Sequence, residues 1–151
     1  MNILINIVAF LGAFAFMEGF AWFTHKYIMH GWGWFLHKSH HEPRKGWFEL
    51  NDLYAIIFAA PAIYFMWIGS PAYNWVFWTG TGISAYGMSY FFFHDVLVHR
   101  RLHHKMRPTS RYMQRIMRAH KIHHKNMGRK NGKAFGFLFA LPEYDVKRTD
   151  K

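Results

Sequence analysis

Histidines are the residues of this sequence whose types and spacing most clearly indicate chemistry. An H-x4-H pair is followed by an H-x2-H-H group, and both spacings recur further along the chain. Ten of the twelve histidines belong to these two copies: His25, His30, His37, His40 and His41, then His94, His99, His120, His123 and His124. Because histidine clusters at helical spacing are typical of metal sites, we predict that all ten bind metal.

The spacing within each copy indicates how the imidazoles could meet. Residues three and four apart share one face of an α-helix, so each H-x2-H-H group is predicted to point at one spot. Residues five apart are separated by roughly 140° on a regular helix, so each H-x4-H pair could serve two adjacent points or bind where its helix ends and bends. Two matched sets fit two metal ions better than one, and imidazole suits iron, zinc, copper and nickel alike.

Several other kinds of chemistry are excluded or reduced by composition. The chain has no cysteine, which rules out disulfides, Cys-ligated iron–sulfur clusters and Cys-ligated haem iron. It also lacks a credible nucleotide-binding loop, so a redox reaction would need a separate electron donor. His103 and His104 stand outside the repeated pattern, and we expect them not to be ligands.

The elements that must position these histidines are predicted from three apolar blocks, residues 3–23, 53–69 and 75–93. Hydrophobic residues make up 52% of the 151 residues and aromatic residues 21%. About 20 apolar residues cross a bilayer, so we predict an all-α membrane protein with three to four transmembrane helices in a single domain, residues 1–151. No basic segment precedes the first block, which favours a retained helix over a signal peptide. The turn at 70–74 should make the other two blocks a helical hairpin.

Basic residues predict the orientation of these helices. Neither the segment before residue 24 nor the 70–74 turn contains Lys or Arg, whereas fifteen of the nineteen basic residues follow Phe93. With three crossings all nineteen lie on one side, which the positive-inside rule makes the cytoplasm. The sequence therefore predicts a histidine-rich helical cap on the cytoplasmic face.

The chain after Phe93 is predicted to form this cap. Residues 110–125 place histidine and apolar side chains on one face and basic side chains largely on the other, as in a basic amphipathic helix at a bilayer surface. We expect the basic face to meet lipid headgroups or an acidic partner rather than nucleic acid. The apolar segment 134–141 is expected to pack back onto the cap, and the last ten residues to form a short polar tail.

Glu18 is a carboxylic acid inside the first apolar block. Such a group is costly in a membrane and is usually paired or functional, so we predict that it faces the protein interior. It lies seven residues before His25 and therefore on nearly the same helix face. Two roles stay open, a partner to a metal-bound imidazole or a polar contact between helices.

These motifs resemble those of a known family. Residues 25–46 read H-K-Y-I-M-H-G-W-G-W-F-L-H-K-S-H-H-E-P-R-K-G, and E-L-N-D-L-Y-A follows at residues 49–55. Together with H-D-V-L-V-H, A-H-K-I-H-H and F-G-F-L further on, they resemble the bacterial β-carotene hydroxylases, part of the fatty acid hydroxylase superfamily of membrane di-iron enzymes. The resemblance covers about residues 17–140. The chain departs from the family pattern just after His99, where R-R-L-H-H adds a histidine pair.

The resemblance implies a function and a location. It implies a carotenoid 3-hydroxylase that converts β-carotene through β-cryptoxanthin to zeaxanthin, using dioxygen and reduced ferredoxin. The ten patterned histidines would then hold two iron ions in a multi-pass protein of the bacterial inner membrane. The aromatic, apolar blocks would give such a substrate a dry path to the metals.

Two other classes stay open on the sequence. A fatty acid or sterol hydroxylase or desaturase would share the same histidine motifs. A non-catalytic membrane metal carrier or a b-type haem protein is the second class. Haem needs only one or two axial histidines, and a carrier would more typically place histidines midway along its helices. The sequence does not indicate an oligomeric state.

Overall fold

A computed structural model describes residues 2–145, and within that range the chain is helical with no β-strand. The predicted all-α class is therefore confirmed. Five α-helices form the framework of the described range, and two of them continue into π-helical segments that carry histidines. Of the predicted polar tail, Pro142–Tyr144 form a short 3-10 helix, and residues 146–151 lie outside the described residues.

Helix α1 (Ile3–Phe23) has the bounds predicted for the first apolar block. The chain continues directly into a π-helical segment, Thr24–Trp32, and then into helix α2 (Trp34–His41). Gly31 has non-helical backbone angles (φ −99°, ψ −127°) and marks the bend between the two. The first five patterned histidines therefore follow α1 on one nearly continuous helical path.

Helices α3 (Asp52–Gly69) and α4 (Trp75–Tyr90) form the predicted hairpin. The Asn74 side chain accepts hydrogen bonds from the first backbone N–H groups of α4 and so caps that helix. At its other end α4 passes without interruption into a second π-helical segment, Phe91–Val98. Each H-x4-H pair thus begins where a long apolar helix changes its hydrogen-bond pattern.

Helix α4 packs against both α1 and α3, and two of its glycines make the approach possible. A β-carbon at Gly80 would lie 2.6 Å from the Ala62 carbonyl oxygen in α3. A β-carbon at Gly82 would lie 2.4 Å from the Phe10 carbonyl oxygen in α1. Side chains larger than hydrogen would push these helices apart, so α4 is the centre of the three-helix layer.

Two helices of the described range are long and apolar enough to cross a membrane: α1 with its π-helical continuation, and α3. Large apolar side chains on both helices face outward, among them Ile3, Leu4 and Ile56. Apolar surface of this extent suits lipid rather than water, and it agrees with a membrane protein. The third predicted span, residues 75–93, is helical as well. That the chain crosses the membrane three to four times stays a prediction.

Helix α5 (Arg111–His124) occupies the stretch where the sequence predicts an amphipathic helix, residues 110–125. Ser110 caps it by accepting a hydrogen bond from the Met113 N–H. The buried residues of α5 are Ile116, Ala119, His120 and His123. Its histidines therefore face inward, as the pattern predicts.

The apolar segment 134–141 returns to the body of the protein. Phe137 is buried in a core with Met17 of α1 and Tyr86 of α4. The Tyr112 hydroxyl of α5 donates a hydrogen bond to the Leu138 carbonyl oxygen. The predicted packing of this segment against the cap is confirmed, and the segment also reaches the membrane helices.

Candidate metal centre

The ten patterned histidines gather into two clusters of five at the junction of the apolar helices and α5. In each cluster, one nitrogen from every ring lies within 4.8 Å of the others, an arrangement that could hold a metal ion. We call His25, His30, His37, His41 and His123 the first cluster, and His40, His94, His99, His120 and His124 the second cluster.

The π-helical segments explain how histidines five residues apart share one cluster. A π-helix bonds each N–H to the carbonyl five residues back, so residues five apart come close to alignment. The His99 N–H bonds the His94 carbonyl oxygen at 2.9 Å, which is this pattern between the two histidines themselves. The ring centroids of His25 and His30 are 5.3 Å apart, so the pair serves one cluster and not two adjacent points.

The H-x2-H-H groups do not point at single spots, and this part of the prediction is wrong. His37 and His41 stay together in the first cluster, while His40 between them belongs to the second. In the same way His123 leaves its neighbours and joins the first cluster. On a helix, the first and last histidines of the group are four residues apart and differ by about 40°. The middle histidine, three residues after the first, lies about 60° from it in the opposite direction. The middle histidine can therefore reach the neighbouring cluster.

Every imidazole of the first cluster has its Nδ1 within hydrogen-bond distance of an oxygen acceptor. An imidazole that donates from Nδ1 and is neutral keeps an unprotonated Nε2 as an acceptor or metal ligand. The oxygens belong to four backbone carbonyls and one side-chain amide: Phe135 for His25 (3.0 Å), Arg129 for His30 (3.1 Å), Asn51 for His37 (2.7 Å), Asn126 for His41 (3.0 Å) and Lys133 for His123 (2.8 Å).

The Nε2 atoms of the first cluster converge on one point. The distance from His37 Nε2 is 3.1 Å to His25 Nε2 and 3.2 Å to His41 Nε2, and His30 Nε2 lies 3.2 Å from His123 Nε2. Two unprotonated nitrogens cannot hydrogen-bond each other, but ligands about 2.1 Å from one metal ion lie about 3.0–3.4 Å apart. The donor set therefore fits a cation.

The second cluster has a similar convergence of nitrogens but different outer partners. His40 Nε2 lies 3.1 Å from His94 Nε2, and His99 Nε2 lies 2.8 Å from His120 Nε2. His124 Nε2 is buried without a hydrogen-bond partner, as expected of an atom kept for a metal. This donor set fits a cation as well.

Carboxylates lie beside two outer nitrogens of the second cluster, and one of them, Glu49, is hydrogen-bonded to its imidazole. Glu49 Oε2 lies 3.0 Å from His40 Nδ1, and Asp95 Oδ1 lies 3.4 Å from His94 Nδ1. Both carboxylates contact Arg101, whose Nε lies 3.0 Å from Asp95 and whose Nη2 lies 3.4 Å from Glu49. Arg101 also binds Asp52 at 2.6 Å. Carboxylate partners fix the orientation of a ligand imidazole and raise its basicity.

Sequence reasoning missed this carboxylate network. Glu49, Asn51 and Asp95 lie within the family-like motifs, but the spacing of the histidines does not mark them as partners of the ligands. A usable signal was the proximity of these residues to predicted ligands, with Asp95 directly after His94. Arg101 is one of the many basic residues after Phe93, but its side chain is only 13% exposed and lies among the carboxylates.

Burial keeps these imidazoles in the neutral form that a metal requires. Burial, reinforced by neighbouring imidazoles, lowers the pKa of His37 to about 3 and that of His124 to about 2. Burial likewise lowers the pKa of His41 and of His99 to about 4. Nitrogen lone pairs therefore remain available throughout the neutral pH range.

His103 and His104 belong to neither cluster, and that they do not bind metal stays a prediction. His103 is exposed, and His104 donates from Nε2 to the Val96 carbonyl oxygen at 2.7 Å. That bond ties the loop after His99 to the second π-helical segment. His104 thus stabilises the fold beside the second cluster.

Glu18 faces the interior, as predicted, and contacts Tyr86 of α4, whose hydroxyl donates to it at 2.8 Å. Its hydrogen bonds go to that hydroxyl and to backbone N–H groups, not to an imidazole. The role of direct partner to a metal-bound imidazole is therefore wrong. The contact between helices agrees with the alternative.

An apolar cavity of about 610 Å³ lies among α1, α3 and α4. His25 of the first cluster and His94 and His120 of the second are part of its wall. Elsewhere the wall is mainly apolar, with residues such as Phe58 and Ile83. A long apolar molecule could therefore reach both clusters from the membrane side.

Comparison with known proteins connects this arrangement to a family. Residues 10–145 match the family model described as fatty acid hydroxylase. No solved structure matches the chain.

Curated relatives match most of the chain. It is 48% identical to a "Beta-carotene hydroxylase" of Pantoea ananas, over 98% of the chain and 82% of that relative. It is 44% identical to a "Beta-carotene hydroxylase" of Pseudescherichia vulneris, over 94% of the chain and 80% of that relative. A "Beta-carotene 3-hydroxylase, chloroplastic" of an Oncidium hybrid cultivar is 38% identical over 89% of the chain and 45% of the relative.

Proposed function

The chain belongs to the fatty acid hydroxylase family, and we propose that it is a β-carotene 3-hydroxylase. The observation that carries the proposal is the position of both histidine clusters at the wall of an apolar cavity open to a long hydrocarbon. The names of the curated relatives identify the substrate class.

The proposed reaction replaces a C–H bond at C3 of a β-ionone ring by C–OH. One oxygen atom of dioxygen enters the product, and the other leaves as water with two electrons from the donor and two protons from the solvent. A first turnover gives β-cryptoxanthin, and a second at the other ring gives zeaxanthin. The second turnover requires the molecule to present its opposite end to the same cavity.

The ten clustered histidines are proposed to hold two iron ions. When bound, the iron pair would supply the activation of dioxygen. The chain's own contribution is a set of ten imidazoles, seven of them buried. Hydrogen bonds at Nδ1 orient six of the ten, and burial favours the neutral form. Imidazole is a suitable ligand for iron, and the chain offers no thiolate that would favour another site type.

The cavity walls would bind the substrate and exclude water. Met17 and Phe58 present apolar surface to a polyene, while Tyr54 anchors the wall by donating its hydroxyl to the Gly33 carbonyl oxygen at 3.0 Å. Exclusion of water protects a reactive oxidant from side reactions. The ring to be hydroxylated would lie at the histidine end, and the rest of the chain toward the lipid.

The orientation proposed is a multi-pass protein of the bacterial inner membrane, with the metal centre on the cytoplasmic side. Its support is the excess of basic residues after Phe93 and the apolar surface of α1 and α3. Protease digestion of right-side-out and inverted vesicles tests it. Cleavage after Lys121 or Lys125 only in inverted vesicles is the expected result.

Reduced ferredoxin is proposed as the electron donor, docking on the basic surface of the cap. An acidic donor would be steered by the opposite charge of this surface. Three arginines of α5 are engaged within the chain, because Arg111, Arg115 and Arg118 all contact Asp145. Lys121 and Lys125 are exposed on the same helix beside the histidines, and they are the better candidates.

Charge reversal tests this docking surface. Lys121→Glu with Lys125→Glu should slow ferredoxin-driven turnover at low salt, with metal content unchanged. The matched control is Lys45→Glu, an exposed lysine in the loop before α3. Unchanged turnover in the double variant would contradict docking at α5, in which case its charges bind lipid headgroups.

Expression in a host that accumulates β-carotene tests the function as a whole. Pigment chromatography should show β-cryptoxanthin and then zeaxanthin, and neither should form with the His37→Ala, His120→Ala double variant. If β-carotene stays unchanged while fatty acids or sterols become hydroxylated, the substrate proposal is wrong within the same family. Metal binding without any oxidised product would favour a non-catalytic metal protein.

A further inference from the structure

Glu18 is the one acidic residue of α1, and neither metal cluster includes it. An ionisable side chain within a membrane helix is costly unless it has partners. Its contacts lie far along the chain, in the segment that follows α5. Glu18 therefore connects α1 to that segment.

Three successive backbone N–H groups donate to the Glu18 carboxylate. Phe137 and Leu138 each donate to Oε1 at 2.9 Å, and Phe139 donates to the same oxygen at 3.0 Å. The Tyr86 hydroxyl donates to Oε2 at 2.8 Å. Consecutive N–H groups around one anion form a nest, and hydrogen bonds to an ionised acceptor are about twice as strong as neutral ones.

The backbone folds tightly to make this nest. A β-carbon at Gly136 would lie 2.5 Å from the Phe139 carbonyl oxygen and 3.6 Å from Glu18 Oε1. Alanine at this position would therefore require the backbone to move. The F-G-F-L motif thus has a physical role as the loop that wraps the carboxylate.

The same loop closes the first cluster. The Phe135 carbonyl oxygen accepts from His25 Nδ1, and the Phe135 ring lies edge-on to the rings of His25, His30 and His123 at 5.2–5.4 Å. The second cluster takes its outer contacts from Glu49 and Asp95 instead. The loop held by Glu18 therefore hydrogen-bonds to the first cluster, whereas it meets the second through the Phe137 ring, whose centroid lies 5.9 Å from that of His94.

We propose that Glu18 is a positioning residue for the metal of the first cluster. By fixing residues 137–139, it holds the Phe135 carbonyl where it orients His25 and keeps the Phe135 ring over the cluster. This inference rests on the proposed function only in requiring that the first cluster bind a metal. Glu18 thus acts mainly on the metal site to which its loop is hydrogen-bonded, and much less on the site that the loop meets only through the Phe137 ring.

Metal titration of the full-length protein in detergent tests the inference, with Co²⁺ as the probe and its visible absorption as the readout. In a His120→Ala background only the first cluster is intact. In that background we expect Glu18→Ala to weaken Co²⁺ binding about 10- to 100-fold relative to His120→Ala with Glu18 present. In a His37→Ala background, where the second cluster is intact, Glu18→Ala should leave affinity within about twofold. Binding at the second cluster also reports that the variant is folded.

Two further variants separate positioning from general damage to α1. Glu18→Gln keeps an oxygen acceptor for the N–H groups and should recover most of the affinity. Asn6→Ala removes a buried polar side chain of α1, which donates to the Tyr73 carbonyl oxygen at 3.4 Å, and should leave both clusters unchanged. Trypsin cleavage after Lys133 should become faster in the Glu18→Ala variant but not in Glu18→Gln or Asn6→Ala, because only Glu18→Ala releases the loop.

Unchanged first-cluster affinity in Glu18→Ala would overturn the inference. Equal weakening of both clusters, or equal effects of Glu18→Ala and Asn6→Ala, would overturn it too, because the effect would then be general. Zeaxanthin formation by the parent protein is measured separately. A parent that binds two Co²⁺ ions but makes no zeaxanthin would contradict the proposed function and leave the result on Glu18 valid.

Discussion

The two histidine clusters have the same construction but different surroundings. Each contains one H-x4-H pair from a π-helical segment, the outer two histidines of one H-x2-H-H group, and the middle histidine of the other group. Around the first cluster the outer nitrogens meet neutral oxygens, of which four are backbone carbonyls. Around the second, His40 Nδ1 is hydrogen-bonded to Glu49 and His94 Nδ1 lies 3.4 Å from Asp95, and Arg101 contacts both carboxylates.

This difference teaches that one repeated ligand pattern can produce two unequal metal sites. A carboxylate makes an imidazole a stronger donor than a carbonyl does and places negative charge near the metal. Glu49, Asp52 and Asp95 against Arg101 leave a formal charge of −2 beside the second cluster. We therefore expect the second cluster to bind its cation more tightly and to favour the higher oxidation state.

The largest expected effect comes from two adjacent ligands that belong to different clusters. His40→Ala and His41→Ala should each lower hydroxylation at least about 100-fold, since each removes a direct ligand. Metal analysis and Co²⁺ spectra should show that the first variant loses metal from the second cluster and the second variant from the first. Loss of metal from the same cluster in both variants would contradict the assignment of His40 and His41 to different clusters.

Removal of a carboxylate should weaken the second cluster alone. Glu49→Gln withdraws the charge from His40 Nδ1, and we expect about 10-fold weaker Co²⁺ binding there. Glu42→Gln is the matched control, because Glu42 pairs with Lys38 on the surface and contacts no cluster histidine. If Glu49→Gln instead weakens the first cluster, the assignment of outer partners is incorrect.

Addition of a carboxylate should make the first cluster resemble the second. Asn51 Oδ1 lies 2.7 Å from His37 Nδ1, so Asn51→Asp introduces a charge with little change of shape. We expect Co²⁺ binding at the first cluster to tighten by up to about 10-fold. Titration in the His120→Ala background measures this, and a weaker first cluster would argue against the electrostatic explanation.

The smallest expected effect concerns the geometry of the carboxylate network. Arg101→Lys keeps the positive charge but loses the planar fork that contacts three carboxylates. Second-cluster affinity should fall by about threefold, with the first cluster unchanged. Arg100→Lys, at the exposed neighbouring position, should have no effect in the same titration.

Much of the fold followed from local features of the sequence. The predicted bounds of the first apolar block coincide with α1, and those of the hairpin and the cap helix fall within a few residues of α3, α4 and α5. Runs of apolar side chains and capping residues act over a single helix, so they can be recognised without knowing what the helix contacts. The set of ten clustered histidines followed for the same reason.

Which histidine joins which cluster was decided by tertiary structure. His40 and His123 leave their own groups because α2 and α5 face each other across both clusters. The carbonyls of Arg129, Lys133 and Phe135 gave no sequence signal, since every residue has a carbonyl group and only the path of the chain brings these three to imidazoles.

The sequence by itself determined the ligand type, the number of ligands and the apolar helices that carry them. Those properties depend on residue identity and on spacing along one element. Tertiary structure alone decided the division into two unlike sites, the outer partner of each imidazole and the attachment of the C-terminal loop to Glu18. Contacts between residues distant in the chain depend on how helices pack, and no local pattern records that packing.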